Sequence, residues 1–198
     1  MNESTEETEK KKLTNNDNDD SSPPPPPTKK AKTKGPINTV VRVGVGVVVQ
    51  DPYNPTKVFC GIRKGSHGSG TLSLPGGHLE LYERWEDCAI REVHEEMNIK
   101  LDPQSIRLCY VSNDPMPEES KHYVTIFMMG KQQRQQVDSD VSYPKPVNME
   151  PDKCEGWDSY TIQELKAMMT DSDSSKLFGP LKRLLEANPS SLHDFLED

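Results

Sequence analysis

No stretch of this chain is apolar for the length a bilayer requires, and Met1 to Lys12 carries acids instead of a hydrophobic run. Neither a membrane span nor a secretory leader is expected, and the protein should act in the cytoplasm. Its four cysteines, Cys60, Cys88, Cys109 and Cys154, lie far apart with no Cys-x-x-Cys and no partnering histidine. That spacing argues against zinc and for reduced core thiols without a catalytic role. Positive charge is not in excess either, since the formal net charge is -8. Residues 1–36 hold seven acids and seven lysines, so the whole imbalance falls on the rest of the chain. An acidic domain is a poor general binder of nucleic acid or of anionic membranes, and any phosphate it holds must be held locally or through a metal.

Apolar residues are almost missing from residues 1–36, which also run through Pro23 to Pro27. Such a segment cannot bury a core, and we read it as a disordered tail preceding a domain over residues 37–198. Within the tail, Lys29-Lys30-Ala31-Lys32-Thr33-Lys34 has the form of a short nuclear-import signal, although basic hexamers are common in solubilising tails.

What is present is concentrated between Gly77 and Ile99. From Trp85 to Met97 the apolar residues Trp85, Ala89, Val93 and Met97 recur every fourth position with Ile90 beside them, and no proline or glycine interrupts them. This is the stripe of an amphipathic helix packed on a core. At about 100° per residue, Glu92, Glu95 and Glu96 fall beside that stripe, at the core's edge. Carboxylates held so close repel one another and raise each other's pKa, which gives a solvated helix no advantage. A hard divalent cation reverses the sign, because Mg²⁺ takes oxygen ligands and Glu92 with Glu96, at i and i+4, presents two together. For a Glu-x-x-Glu-Glu run alone, a plain acidic helix face is the competing explanation.

The wider pattern is Gly77-x5-Glu83-x7-Arg91-Glu92-Val93-x-Glu95-Glu96-x-Asn98-Ile99. It resembles the Nudix box of Nudix hydrolases, departing at one fixed position, where Asn98 stands in place of glycine. Asparagine is the next best residue for a left-handed helix cap, so the turn should survive. The resemblance implies that Glu92, Glu95, Glu96 and the Gly77 carbonyl hold Mg²⁺, with Mn²⁺ as a substitute, and that Glu83 and Arg91 meet in an ion pair that keeps the site's shape. Which glutamate is the general base stays open. Segments outside the box, Val43 to Val49, Leu74-Pro75-Gly76-Gly77-His78-Leu79-Glu80, His122 to Thr125 and Asn148 to Trp157, look like the eukaryotic nucleotide triphosphate diphosphatase 15 branch of MutT-like proteins and its plant relatives. That branch implies homodimers and hydrolysis of nucleoside triphosphates, oxidised or modified guanine nucleotides among them, to monophosphate and pyrophosphate. It also implies substrate contacts along Leu74, Gly76, Gly77 and His78. The branch carries Leu-Phe-Trp near its C-terminus where this chain reads Leu177-Phe178-Gly179. A missing tryptophan wall weakens purine stacking and leaves guanine preference open, with Phe178 as the aromatic that remains. Other diphosphates, whether an isoprenyl diphosphate, a dinucleotide cofactor such as NADH or a capped RNA, are the first alternative, because the box recognises diphosphate and metal and not the attached group. A non-catalytic nucleotide-binding module is the second, and the intact cluster of acids argues against it.

Around the box, Val40 to Gln50, Val58 to Arg63, Ile106 to Ser112, His122 to Lys131 and Gly156 to Tyr160 read as strands. Arg63 precedes a glycine-rich loop, Gly65 to Gly70, and its guanidinium suits phosphate oxygens. That loop can bare N–H groups to phosphate or be a mere mobile connector, with His67 exposed. Asn113 to Lys121 reads as a loop, residues 131–147 as a polar excursion, and Thr161-Ile162-Gln163-Glu164 as a capping box opening a short helix. Leu177 to Leu185 fits another helix and His193 to Asp198 a frayed end. Strands interleaved with helices give an α/β class, an α/β/α sandwich on a mixed sheet, of which the Nudix fold is the specific version.

Overall fold

The computed structural model describes residues 40–65, 67–137, 140–170 and 176–197. The expected tail over residues 1–36 and its basic run Lys29 to Lys34 lie outside them. In chain order the elements are β1 (Arg42–Asp51), β2 (Asn54–Arg63), β3 (Leu72–Ser73), β4 (Gly76–His78), α1 (Trp85–Met97), β5 (Arg107–Met116), β6 (Lys121–Gly130), β7 (Gln135–Val137), β8 (Asp140–Ser142), β9 (Cys154–Thr161), α2 (Ile162–Thr170), α3 (Gly179–Ala187) and α4 (Ser190–Glu197).

The main sheet runs β3-β2-β1-β6-β5, with β4 also paired to β1 and β9 to β2. β1 and β6 are parallel, from Arg42 opposite Tyr123 to Val49 opposite Gly130, whereas the other pairings in the sheet are antiparallel. The sheet is therefore mixed, as the sequence suggested. β1 alternates poorly because both its faces are covered: Val45, Val47 and Val49 pack on one side and Val48 on the other. On the first side α1 lays down Cys88, Ala89, Val93 and Met97, all fully buried. The larger two, Val93 and Met97, each contribute about 1.5–3 kcal/mol on leaving water. On the opposite side α2, α3 and α4 bury Leu165, Leu181, Leu184, Leu185, Leu192 and Phe195. Helices on both faces of one mixed sheet make the α/β/α sandwich.

Several local expectations change. Trp85, placed in the apolar stripe, is 41% exposed at the start of α1. Asn113 to Lys121 is not a loop: β5 and β6 run through it to a one-turn 3₁₀ helix at Pro117–Glu119. The polar residues there can lie in strands because side chains from outside the segment satisfy them. Buried Asp114 accepts hydrogen bonds from Ser112 Oγ at 2.6 Å and Thr125 Oγ1 at 2.5 Å, and Arg183 of α3 lies 2.7 Å from its other oxygen. The frayed end is instead the last part of α4, fixed by Leu192 and Phe195, which are 0% and 1% exposed. α3 starts later than Leu177, since Leu177 bridges Leu72 and the Phe178 N–H bonds the Leu72 carbonyl at 2.9 Å. The capping box forms as expected, Thr161 Oγ1 accepting from the Glu164 N–H at 3.1 Å and the Glu164 carboxylate from the Thr161 N–H at 2.8 Å.

Candidate active site

α1 carries its acids toward the mouth between β4 and the Asn148 to Cys154 segment. The helix ends where Asn98 takes the left-handed conformation (φ 54°) and its N–H bonds the His94 carbonyl at 3.0 Å, so the box survives its one departure. The next free carbonyls are taken up as well: Met149 N–H reaches Glu96 O at 3.1 Å, Val147 N–H reaches Met97 O at 2.9 Å, and the Trp157 indole N–H reaches Glu96 O at 3.3 Å. The helix end is thereby tied to β9 and the segment before it.

Arg91 gathers the acids. It holds Glu83 in a two-point grip, Nε to Oε1 at 2.7 Å and a terminal nitrogen to Oε2 at 2.9 Å. Its other terminal nitrogen reaches Glu92 at 2.7 Å and Glu95 at 3.2 Å, while the terminal nitrogen on Glu83 also donates to the His78 carbonyl at 3.2 Å. These bonds hold the Glu83 carboxyl down at about 2. Glu83 in turn accepts the Glu80 N–H at 3.0 Å, closing the loop that leads into α1.

Glu92 and Glu96 are half-buried, unlike exposed Glu95. Burial pushes the Glu96 carboxyl up to about 7, although the Gly76 N–H donates to it at 3.0 Å and the Arg63 charge opposes the rise. Burial raises Glu92 as well, against the pull of Arg91. Glu95, by contrast, has a side chain 54% exposed. Both glycines of β4 are there for close approach. A Cβ on Gly77 would run into the Glu92 carboxyl, and one on Gly76 (φ +144°) into the Val45 carbonyl oxygen.

Two cavities meet at this wall. The polar one, of about 530 Å³, is lined by Glu92, Glu95, Glu96, Arg91, Lys64, Glu150, Asp152 and Lys153. The other, of about 120 Å³ and mostly apolar, is lined by Gly44, Gly46, Tyr123, Thr125, Phe127, Phe178 and Leu181. Arg63, Leu74, Gly76, Gly77 and His78 face both. Each residue expected to do chemistry, hold metal or touch substrate thus reaches one of the two cavities, whereas Glu83 lines neither and meets the site through Arg91. Arg63 sits at their junction, its Nε–H on the His67 carbonyl at 3.0 Å and its guanidinium 4.5 Å from the centre of the Phe178 ring.

Among the described residues no three His, Cys, Asp or Glu side chains converge into a metal site by themselves. The donor set still fits a hard cation. Glu92 and Glu96 are hard oxygen donors held beside the backbone of Gly77, and burial disfavours their charged forms until a cation joins them. Magnesium ordinarily takes only one or two protein carboxylates and completes its shell with phosphates and waters, for which the polar cavity has room.

Sequence reasoning missed four contributors. Glu150, bonded to Lys153 at 2.8 Å, and Lys64, whose ammonium bonds the Pro151 carbonyl at 2.9 Å, enter the polar cavity from segments with no periodicity to mark them. Tyr123 lines the apolar cavity and accepts or donates to His78 at 3.0 Å. His67, expected in solvent, has a side chain only 17% exposed. Around Gly68 and Gly70 the loop is hydrogen-bonded: Thr71 N–H and Oγ1 both bond the Gly68 carbonyl, and Gly70 N–H bonds Arg63 O at 2.8 Å.

Residues 40–178 match the NUDIX domain family. Among solved structures, the chain is similar to a MutT NUDIX hydrolase from Burkholderia pseudomallei, with a TM-score of 0.58 and 22% identity over 74% of this chain and 97% of that one. A NUDIX hydrolase from Nitrosomonas europaea gives 0.54 and 18%, over 78% and 90% of the two chains. A bifunctional NMN adenylyltransferase/ADP ribose pyrophosphatase from Francisella tularensis, complexed with AMP and a Mn ion, gives 0.56 and 20% over 78% of this chain and 43% of that one. At such identities the likeness is one of fold. The family match spans most of the chain, including the mixed sheet, the glycine pair and the acid-bearing helix, and on that match the protein belongs to the NUDIX family.

Proposed function

We propose that this protein is a divalent-metal-dependent diphosphatase of nucleoside triphosphates, of the nucleotide triphosphate diphosphatase 15 kind, releasing nucleoside monophosphate and pyrophosphate. The observation that carries this reading is the shared wall: a small apolar cavity and a larger acid-lined one divided by Arg63, Leu74, Gly76, Gly77 and His78. A substrate with a planar apolar end and a polyphosphate tail fits across it. The Francisella tularensis neighbour, described with AMP and a Mn ion, lends support to a nucleotide and a divalent metal on this fold.

Glu92, Glu96 and the Gly77 carbonyl would hold Mg²⁺, or Mn²⁺ in its place, supplying the Lewis acidity that neutralises phosphate charge and acidifies water. Glu95 is the exposed acid of the three, held by a single bond from Arg91, and so can turn to take a proton from water. Arg63, fixed by the His67 carbonyl and the Phe178 face, presents its charge to phosphate at the junction of the cavities. Arg91 keeps Glu83, Glu92 and Glu95 in place and is a positioning residue. Phe178 walls the apolar cavity, and at Gly179 the position of a Cβ is open, with nothing within 4 Å. Gly179 itself does not line that cavity, which leaves Phe178 as the aromatic wall from this segment, and the enzyme should tolerate several bases instead of selecting guanine.

Chromatographic analysis of products from a panel of nucleoside triphosphates, ADP-ribose and prenyl diphosphates, with Mg²⁺ and with EDTA, tests this. The expected products are nucleoside monophosphate and pyrophosphate, formed only with the metal and lost in Glu96→Gln. Turnover confined to ADP-ribose or prenyl diphosphates would overturn the choice of substrate, and triphosphate turnover unaffected by EDTA would overturn the mechanism.

A further inference from the structure

The glycine-rich loop does more than connect β2 to β3. His67 projects from it across the rim of the apolar cavity, parallel to Tyr123 (centroids 6.1 Å, 17° between planes) and edge-on to Phe178 at 5.1 Å. Its Nδ1 lies 2.5 Å from a carboxylate oxygen of Glu119, in the turn between β5 and β6, and Lys121 holds the same oxygen at 3.1 Å. A Cβ at Gly68 would meet the Phe178 ring at 2.7 Å, so the loop backbone itself lies against that aromatic. Two segments far apart in the chain are thus drawn together over one cavity, and the residue that joins them is an aromatic ring facing its interior.

We propose that His67 is a specificity-determining residue: with Tyr123 and Phe178 it forms an aromatic clamp for the planar base of a nucleotide, and Glu119 fixes the ring at the angle the clamp needs. The proposal rests on the nucleotide reading above and adds His67 to Tyr123 and Phe178 on the wall of the apolar cavity. Stacking is tolerant of base identity because every base has a π face, so a clamp of this kind discriminates base from no base more than one base from another.

Titration calorimetry in Mg²⁺ with GMP, and with ribose 5-phosphate as the same phosphate without a base, separates the two ends of the site. Wild type should bind GMP more tightly than ribose 5-phosphate. His67→Ala should weaken GMP about tenfold or more, the range in which loss of one base–aromatic stack falls, and leave ribose 5-phosphate unchanged. His67→Phe, which keeps a ring and drops the bond to Glu119, should recover part of the loss, and Glu119→Gln should lose less than His67→Ala. An equal loss for both ligands in His67→Ala would mean loop collapse and overturn the clamp, as would GMP affinity that does not change. A wild-type protein that hydrolyses nucleoside triphosphates yet binds GMP no better than ribose 5-phosphate would overturn the clamp alone. One that hydrolyses no nucleoside triphosphate would overturn the function proposed above.

Discussion

Replacing Glu96 with glutamine should make the metal-free protein more stable while ending its chemistry. Burial raises this carboxyl from 4.5 to about 7, so the folded state binds its proton more tightly than the unfolded chain does. Between those values the folded state holds more protons, and stability falls as the pH rises through that window. At about 1.4 kcal/mol per unit, the charged carboxylate costs the fold about 3 kcal/mol by pH 8. Glutamine keeps the shape and an oxygen for the Gly76 N–H but carries no charge, so Glu96→Gln should recover most of that. In a domain of this size the gain corresponds to a Tm higher by about 6–12 °C in EDTA at pH 8. Near pH 5 the folded-state carboxyl is largely protonated and the difference should shrink to under about 1 kcal/mol, vanishing only below the unfolded value of 4.5. Adding Mg²⁺ at pH 8 should stabilise wild type and not the variant, narrowing the gap. Thermal unfolding at the two pH values, with and without metal, reads all three. A variant that is less stable than wild type by the same amount at pH 5 and pH 8 would show Glu96 to be an ordinary hydrogen-bonded carboxylate, and the reasoning would fail.

Gly76→Ala should cost at least about 3 kcal/mol in urea unfolding, since the new methyl meets the Val45 carbonyl oxygen in a conformation at φ +144° that alanine rarely adopts. A soluble variant with wild-type stability would contradict that packing. Glu83→Gln should cost about 1 kcal/mol at pH 7, the scale of a two-point Arg pair near solvent. Because Arg91 holds Glu83 at about 2, the wild-type advantage is present above 4.5 and disappears as the pH falls toward 2, so the two acid-unfolding curves should converge there. Freed from Glu83, Arg91 should also misplace Glu92, lowering kcat with KM little changed.

What could be read from residues alone was whatever repeats or sits at fixed spacing. The α1 stripe predicted the helix bounds and gathered Glu92, Glu95 and Glu96 on one side because local geometry sets those distances, whereas the pairing of Glu83 with Arg91 and the place of Gly77 were implied by the Nudix resemblance. Trp85 misled because periodicity reports a helix face and not how far the core extends along it. Asp114 and its neighbours looked like loop residues because their polarity is satisfied by Thr125 and Arg183, partners far away in sequence. α4 was read as a frayed end because a short helix has few residues to show a period, and its stability comes from docking Leu192 and Phe195. Glu150 and His67 were missed for a related reason: each reaches the site from an irregular segment, where only the tertiary fold sets direction.

The central claim is that Glu92 and Glu96 are held together to receive a divalent cation. Titration of the protein with Mn²⁺, followed by electron paramagnetic resonance of the free ion, tests it without recourse to turnover. Wild type should take up the ion, Glu96→Gln should bind at least tenfold more weakly, and a Glu92→Gln/Glu96→Gln double variant should show no saturable binding. Mn²⁺ uptake identical in wild type and the double variant would contradict the account.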